Sequence, residues 1–310
     1  MLNRTRPPLL LRCGAAVSAA ALALGVASPA HARPAAPAYV ALGDSYSSLP
    51  ADATAGPSQE ERSCGRSTRN YPKLVADALG LPRTSLRDNT CGGADSGDAF
   101  AVQRAGSAKL GHFDAPPQLS GIGAETRLVT ISLGGNDGDL YSNILEACAK
   151  RPGTRAAPCT SDGASRPAHL SDGAVSAVLQ RITAADARIV RAVRARAPRA
   201  RIMLVGYPVL FEPGRSCGAI SAYAPASVDW MRSVLTERLN RAVHRAAQRA
   251  GAEFVDMEPA SRGHEVCGAR PWINGLTETP RAAAMHPFPE EGVAVAAEIT
   301  RAVRTSGSRP

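Results

Sequence analysis

Aromatic residues make up only 4% of the 310-residue chain, and lysine occurs just three times, as Lys73, Lys109 and Lys150. With so few rings there is no stacking platform for unpaired bases. The formal charge of +9 is carried almost wholly by arginine. Those arginines are dispersed along helix-like faces, as at Arg188, Arg191, Arg194, Arg196, Arg199 and Arg201, and not gathered beside aromatics. A nucleic-acid partner is therefore not expected. No pair of cysteines has the C-x-x-C spacing, so neither a zinc site nor a thioredoxin-type site is supported. Beyond the N-terminal stretch, no apolar run approaches the roughly 18–20 residues needed to cross a bilayer.

What is present is the composition of a folded domain. With 44% hydrophobic and 20% charged residues the chain is neither a disordered tail nor a low-complexity filament. The first 32 residues carry Arg4, Arg6 and Arg12 and no acid, then an Ala/Leu/Val stretch from Cys13 to Val26, then Ala30-His31-Ala32. A basic start, a short apolar segment and a small-x-small site describe a secretory signal peptide. There is no adjacent Arg-Arg pair in it, which favours general export, and Cys13 lacks the context of a lipoprotein anchor. Cleavage after residue 32 removes three arginines and no acid, taking the net charge from +9 to +6. Residues 33–310 are expected to form a single domain that is secreted, with no stable membrane anchor.

Cleavage also removes Cys13 and leaves six cysteines, at 64, 91, 148, 159, 217 and 267. An even number in an exported chain points to three disulfides, and fifteen pairings are possible. Neighbour pairing, Cys64–Cys91, Cys148–Cys159 and Cys217–Cys267, would staple three consecutive loop regions and is the expected arrangement.

Short apolar runs alternate with helical patterns. Tyr39–Leu42, a stretch near Thr84–Asn89, Leu128–Leu133, Ile202–Val205 and Phe254-Val255 read as strands. Residues 71–80, about 172–197, 225–250 and 289–303 read as helices, the third with Val228, Met231, Val234, Leu235, Leu239 and Val243 on one face. Stretches at about 49–63 and 149–171 read as surface loops. This alternation predicts a three-layer α/β/α fold around a parallel sheet of about five strands. In such sheets the functional groups collect beyond the carboxyl ends of the strands. Three polar turns follow the first three strands: Gly43-Asp44-Ser45-Tyr46-Ser47-Ser48, Cys91-Gly92-Gly93-Ala94 and Gly134-Gly135-Asn136-Asp137. His286-Pro287 stands just ahead of the last helix.

GDSYSS, the glycine turn, GGND and the late His-Pro, in that order and with Gly206-Tyr207-Pro208 after the fourth strand, resemble the SGNH (GDSL-type) hydrolase superfamily. Within it, the chain is similar to the secreted actinobacterial lipases and esterases. The resemblance spans nearly the whole of 33–310 and also fits six cysteines in neighbour spacing. It implies a carboxylic-ester hydrolase that needs no metal and no cofactor. Ser45 would be the nucleophile and His286 the base. The backbone N–H groups of Ser45 and Gly93, together with the Asn136 side-chain amide, would form the oxyanion hole. Asp137 and Tyr207 read as structural. Asn136 has the competing reading of a helix cap.

Two positions depart from the family pattern. Where an aspartate often precedes the histidine by three residues, this chain has Ala283, whose carbonyl is then expected to orient the imidazole. Glu278 and Asp256 are the carboxylates that could replace the missing one. Where glycine usually follows GDSYSS, the chain has Leu49-Pro50.

A rival pattern, Gly214-Arg215-Ser216-Cys217-Gly218, matches the α/β-hydrolase nucleophile elbow, with Asp256 and His286 in that fold's order. Pro208 and Pro213 separate it from the preceding strand, which argues against it. The expected partner is a small-molecule or lipid ester, and the expected state a monomer. Phospholipase and carbohydrate deacetylase share the same machinery, and a non-catalytic lipid or glycan binder is the reading from another class.

Overall fold

The computed structural model describes residues 37–49, 56–107, 111–150 and 158–306. The expected signal peptide at 1–32, Pro50 and parts of the two expected surface loops lie outside them. In chain order the first elements are β1 (Tyr39–Gly43), α1 (Ser45–Ser48), α2 (Gln59–Ser63), α3 (Tyr71–Ala78), β2 (Leu86–Asp88), β3 (Gln103–Ser107), β4 (Gly111–Ala115) and β5 (Leu128–Ser132). Then come α4 (Leu140–Ala147), α5 (Asp172–Arg196), β6 (Arg201–Val205), α6 (Pro225–Arg232), α7 (Leu239–Ala250), β7 (Glu253–Val255), α8 (Glu258–Ser261) and α9 (Pro289–Ser306).

Five strands form a parallel sheet in the order β2-β1-β5-β6-β7. Every residue of β1 and β5 is buried, as continuous apolar runs covered on both faces must be. Side chains alternate between the faces. Val40, Leu42, Val129, Ile131, Ile202 and Leu204 pack with α5 and α7 on one side. Tyr39, Ala41, Leu128, Met203 and Val205 pack with α3 and α9 on the other. The three layers follow from that alternation.

Local signals mark the helix ends. Ser171 caps α5 through its side chain to the Ala174 N–H, and Gly251 ends α7 in the left-handed region at φ +68°. The helical pattern at 225–250 is one continuous run, with a π segment at Ser233–Arg238 between α6 and α7. The antiparallel hairpin β3–β4 carries no apolar alternation in its sequence and is not apparent there. Its inward residues Ala105 and Ala115 close over the Cys64–Cys91 bridge.

The chain proceeds from β1 to β2 on one side, then crosses to β5 on the other side of β1. That reversal opens a crevice outside the carboxyl ends of β1 and β5, where open α/β sheets bind ligands. Disulfides join Cys64 to Cys91, Cys148 to Cys159 and Cys217 to Cys267. The first ties the end of α2 to the turn after β2.

Candidate active site

Both faces of the crevice are built from strand ends held in place by buried amides. Gly43, the last residue of β1, donates its N–H to Gln118 Oε1 (2.8 Å) and accepts from Gln118 Nε2 (3.0 Å), so this side chain pairs with it like a neighbouring peptide. A Cβ at Gly43 would lie 2.2 Å from Ser47 Oγ, which is why the chain can fold back into α1 only with glycine there. Asp44 caps α1 by accepting from the Tyr46 N–H (2.9 Å). The Tyr207 hydroxyl donates to Asp44 Oδ2 (2.6 Å) and accepts from the Gly135 N–H (2.9 Å), so one side chain joins the turn after β1 to the turn after β5. Burial pushes the Asp44 carboxyl up to about 7, against the pull of these two donors.

Ser45, Asn136 and His286 line one cavity of about 170 Å³, with Tyr46, Tyr141, Leu145 and Met285 among its walls. Among the described residues no hydrogen bond joins Ser45 to His286, a looseness common in unliganded sites. Neither the Ser45 N–H nor the Gly93 N–H is given to a protein acceptor among the described residues. Gly93 takes φ +77°, a conformation glycine adopts without strain, and is not among the residues that line the cavity. Its neighbour Ala94 accepts one Asn136 Nδ2 hydrogen (2.9 Å), leaving the second for a ligand. Asn136 makes no side-chain capping bond, which removes its competing reading. Asp137 accepts from both the N–H and the hydroxyl of Ser96 and is structural.

The histidine loop corrects one expectation. His286 Nδ1 lies 2.7 Å from the carbonyl of Ala284, not of Ala283. The Ala283 carbonyl is already used, accepting from the His286 N–H (3.2 Å) and from Asn274 Nδ2 (3.0 Å). Met285, held at φ +57°, closes that turn and presents the next carbonyl to the ring instead. A carbonyl has no proton to give, so Nδ1 carries the hydrogen and Nε2 has a free lone pair. Burial lowers the pKa of the imidazole, partly countered by the Ala284 carbonyl.

Neither substitute carboxylate reaches the ring. Asp256 accepts from the Glu258 N–H, and among the described residues Glu278 makes no hydrogen bond or ion pair with His286. Two other histidines pack elsewhere: His244 stacks on Phe254 and His264 on Trp272. Ser216 is not on an elbow. Its hydroxyl donates to the Tyr223 carbonyl (2.9 Å), and the next residue is bonded to Cys267.

The profile of the GDSL-like lipase/acylhydrolase family matches residues 41–290. The chain belongs to that family. It is 36% identical to Lipase 2 of Streptomyces coelicolor over 87% of this chain and 89% of the relative. It is 30% identical to a lipase of Streptomyces rimosus over 83% and 84% respectively. The crystal structure of an extracellular lipase from Streptomyces rimosus superposes with a TM-score of 0.63 at 24% identity, covering 87% of this chain and 99% of that one. A phospholipase A1 from Streptomyces albidoflavus gives 0.62 at 22%, with the same coverage, and shares the fold.

As a GDSL-family acylhydrolase, the protein is a carboxylic-ester hydrolase. None of its described helices is long and apolar enough to cross a membrane. Two of this acylhydrolase's site-building residues, Gln118 and Asn274, were missed in the sequence. Gln118 lies in a Pro-rich turn without a motif. Asn274 wires the histidine loop, donating through Nδ2 to the carbonyls of Thr277, Ala282 and Ala283 and through its N–H to that of His286. Tyr207 reads as structural in the sequence, with no sign there of its bond to Asp44.

Proposed function

We propose that this acylhydrolase is an exported serine esterase that works through a Ser45–His286 dyad and an acyl-enzyme intermediate. The observation that carries this reading is the Nδ1–H of His286 held by the Ala284 carbonyl, with Nε2 left free in the cavity that Ser45 lines.

Ser45 Oγ attacks the ester carbonyl as Nε2 takes its proton. The oxyanion is met by the free N–H groups of Ser45 and Gly93 and the remaining amide hydrogen of Asn136. His286 then gives its proton to the departing alcohol oxygen, leaving the acyl group on Ser45. Water is activated the same way and releases the acid. A neutral carbonyl fixes the tautomer as a carboxylate would but adds no charge to offset the imidazolium. The dyad calls for no metal or cofactor. Residues 1–32 would direct export, and the secreted product would act as a monomer on small-molecule or lipid esters.

A p-nitrophenyl ester chain-length series, run beside triglyceride, phospholipid and acetylated xylan, tests the reading. Hydrolysis should vanish in Ser45→Ala and survive Ser216→Ala, Asp256→Ala and Glu278→Ala. No hydrolysis by the wild type, or a collapse of turnover in folded Asp256→Ala or Glu278→Ala, would overturn it.

A further inference from the structure

Tyr46, the residue after the nucleophile, touches three parts of the site at once. Its ring packs on Tyr141 (5.6 Å between centroids), edge-on to Tyr207 (5.5 Å) and beside the imidazole of His286 (5.7 Å). Its hydroxyl is buried and donates to the Met285 carbonyl (2.8 Å), 239 residues along the chain.

Met285 is a non-glycine residue at φ +57°, a conformation that persists only where the surroundings impose it. Its flanking groups are held from one side. Asn274 binds the carbonyls of Ala282, Ala283 and His286, and Gly275 accepts from the Met285 N–H. None of these bonds reaches the nucleophile. Among the described residues, Tyr46 to Met285 is the hydrogen bond that joins α1 to the histidine loop.

From these contacts we infer that Tyr46 is a positioning residue: its hydroxyl fixes the Met285 turn, and through it sets the His286 ring against Ser45. This rests on the Ser45–His286 reading. Because Tyr46 is covalently next to Ser45, any shift of the nucleophile turn is passed to the base through this hydrogen bond as well as through the ring contact. A tyrosine does this where a phenylalanine of the same shape does not. Without the hydroxyl the Met285 carbonyl loses its donor, and the loop loses its tie to α1. Misplacement on the scale of an ångström between reacting groups is enough to cost orders of magnitude in rate.

The test compares Tyr46→Phe with 4-aminophenylalanine at the same position, which restores a donor in nearly the same place. Both are assayed with p-nitrophenyl acetate at a temperature where circular dichroism shows them folded. The Phe variant is expected to lose about 10- to 100-fold in kcat with KM changed less than about threefold, and to react more slowly with a fluorophosphonate by a similar factor. The amino variant should recover most of that loss. A role in stability alone would lower the melting temperature and leave kcat of the folded protein unchanged.

A folded Phe variant with wild-type kcat, or an amino variant no faster than it, overturns the inference. Should the Phe variant not fold, an amino variant below one tenth of wild-type kcat does so. Wild-type protein that neither hydrolyses esters nor labels at Ser45 would refute the dyad reading itself, a result distinct from either.

Discussion

At the scale of single residues, the site depends on protons held in the right places. The imidazole of His286 is pushed below its ordinary value by burial, while the Ala284 carbonyl pulls the other way and only in part. A general base must be neutral to act, so a lowered pKa keeps it competent at more acid pH. The acid limb of kcat/KM with a p-nitrophenyl ester is expected to have its midpoint below the ordinary histidine value of about 6.5. A midpoint above that would mean a carboxylate supports the ring. The proposed site residues Ser45, Gly93, Asn136 and His286 stand in ordered blocks of the sequence, and the structure brings Ser45, Asn136 and His286 to one cavity. The orienting group was not legible there. Whether carbonyl 283 or 284 faces the ring depends on the left-handed turn at Met285, and nothing in Ala-Ala-Ala-Met announces it. Leu49 is similar. It takes φ +56° as the C-cap of α1, at the position where glycine is usual, with its side chain buried. The sequence shows that departure but not that leucine adopts the glycine's conformation.

At the scale of elements, the disulfides divide by what they hold. Cys91 leads into Gly92-Gly93, and the Gly92 N–H donates to the Cys64 carbonyl (2.8 Å). The Cys64–Cys91 bridge therefore supports the turn that carries Gly93, the proposed oxyanion donor, as well as the fold. Cys148–Cys159 closes a loop between α4 and α5, with a sequence separation of 11. Removing either bridge by paired Cys→Ser substitution is expected to cost about 2–4 kcal/mol in stability. Only loss of Cys64–Cys91 should also lower kcat, which assays on folded protein would separate. Equal kcat losses for both would contradict this. The sheet was legible because parallel central strands must be apolar throughout. The β3–β4 hairpin, short and polar, was not, nor was the π segment inside the continuous helical run from α6 to α7.

At the scale of the whole molecule, buried acids tie stability to pH. Burial raises Glu291 on α9 to about 8, with the nearby Asp44 adding to the effect, and Asp44 itself to about 7. Unfolded carboxyls titrate near 4. Between roughly pH 4 and pH 8 the folded protein therefore holds protons that the unfolded chain has released, and stability falls as pH rises. Glu291→Gln keeps the shape and has no proton to lose. Its melting temperature is expected to fall less than that of the wild type between pH 5 and pH 9, and parallel profiles would contradict the assignment. The wide distribution of arginine has no part in any of this. The most conspicuous property of the composition, its basicity, lies outside the chemistry.

The most direct single measurement is peptide mapping after reaction with a fluorophosphonate, which reports only a serine activated as a nucleophile. One adduct on Ser45, lost in Ser45→Ala and strongly slowed in His286→Ala, is the expected result. An adduct on Ser216, or no adduct on folded wild-type protein, would contradict the Ser45–His286 dyad.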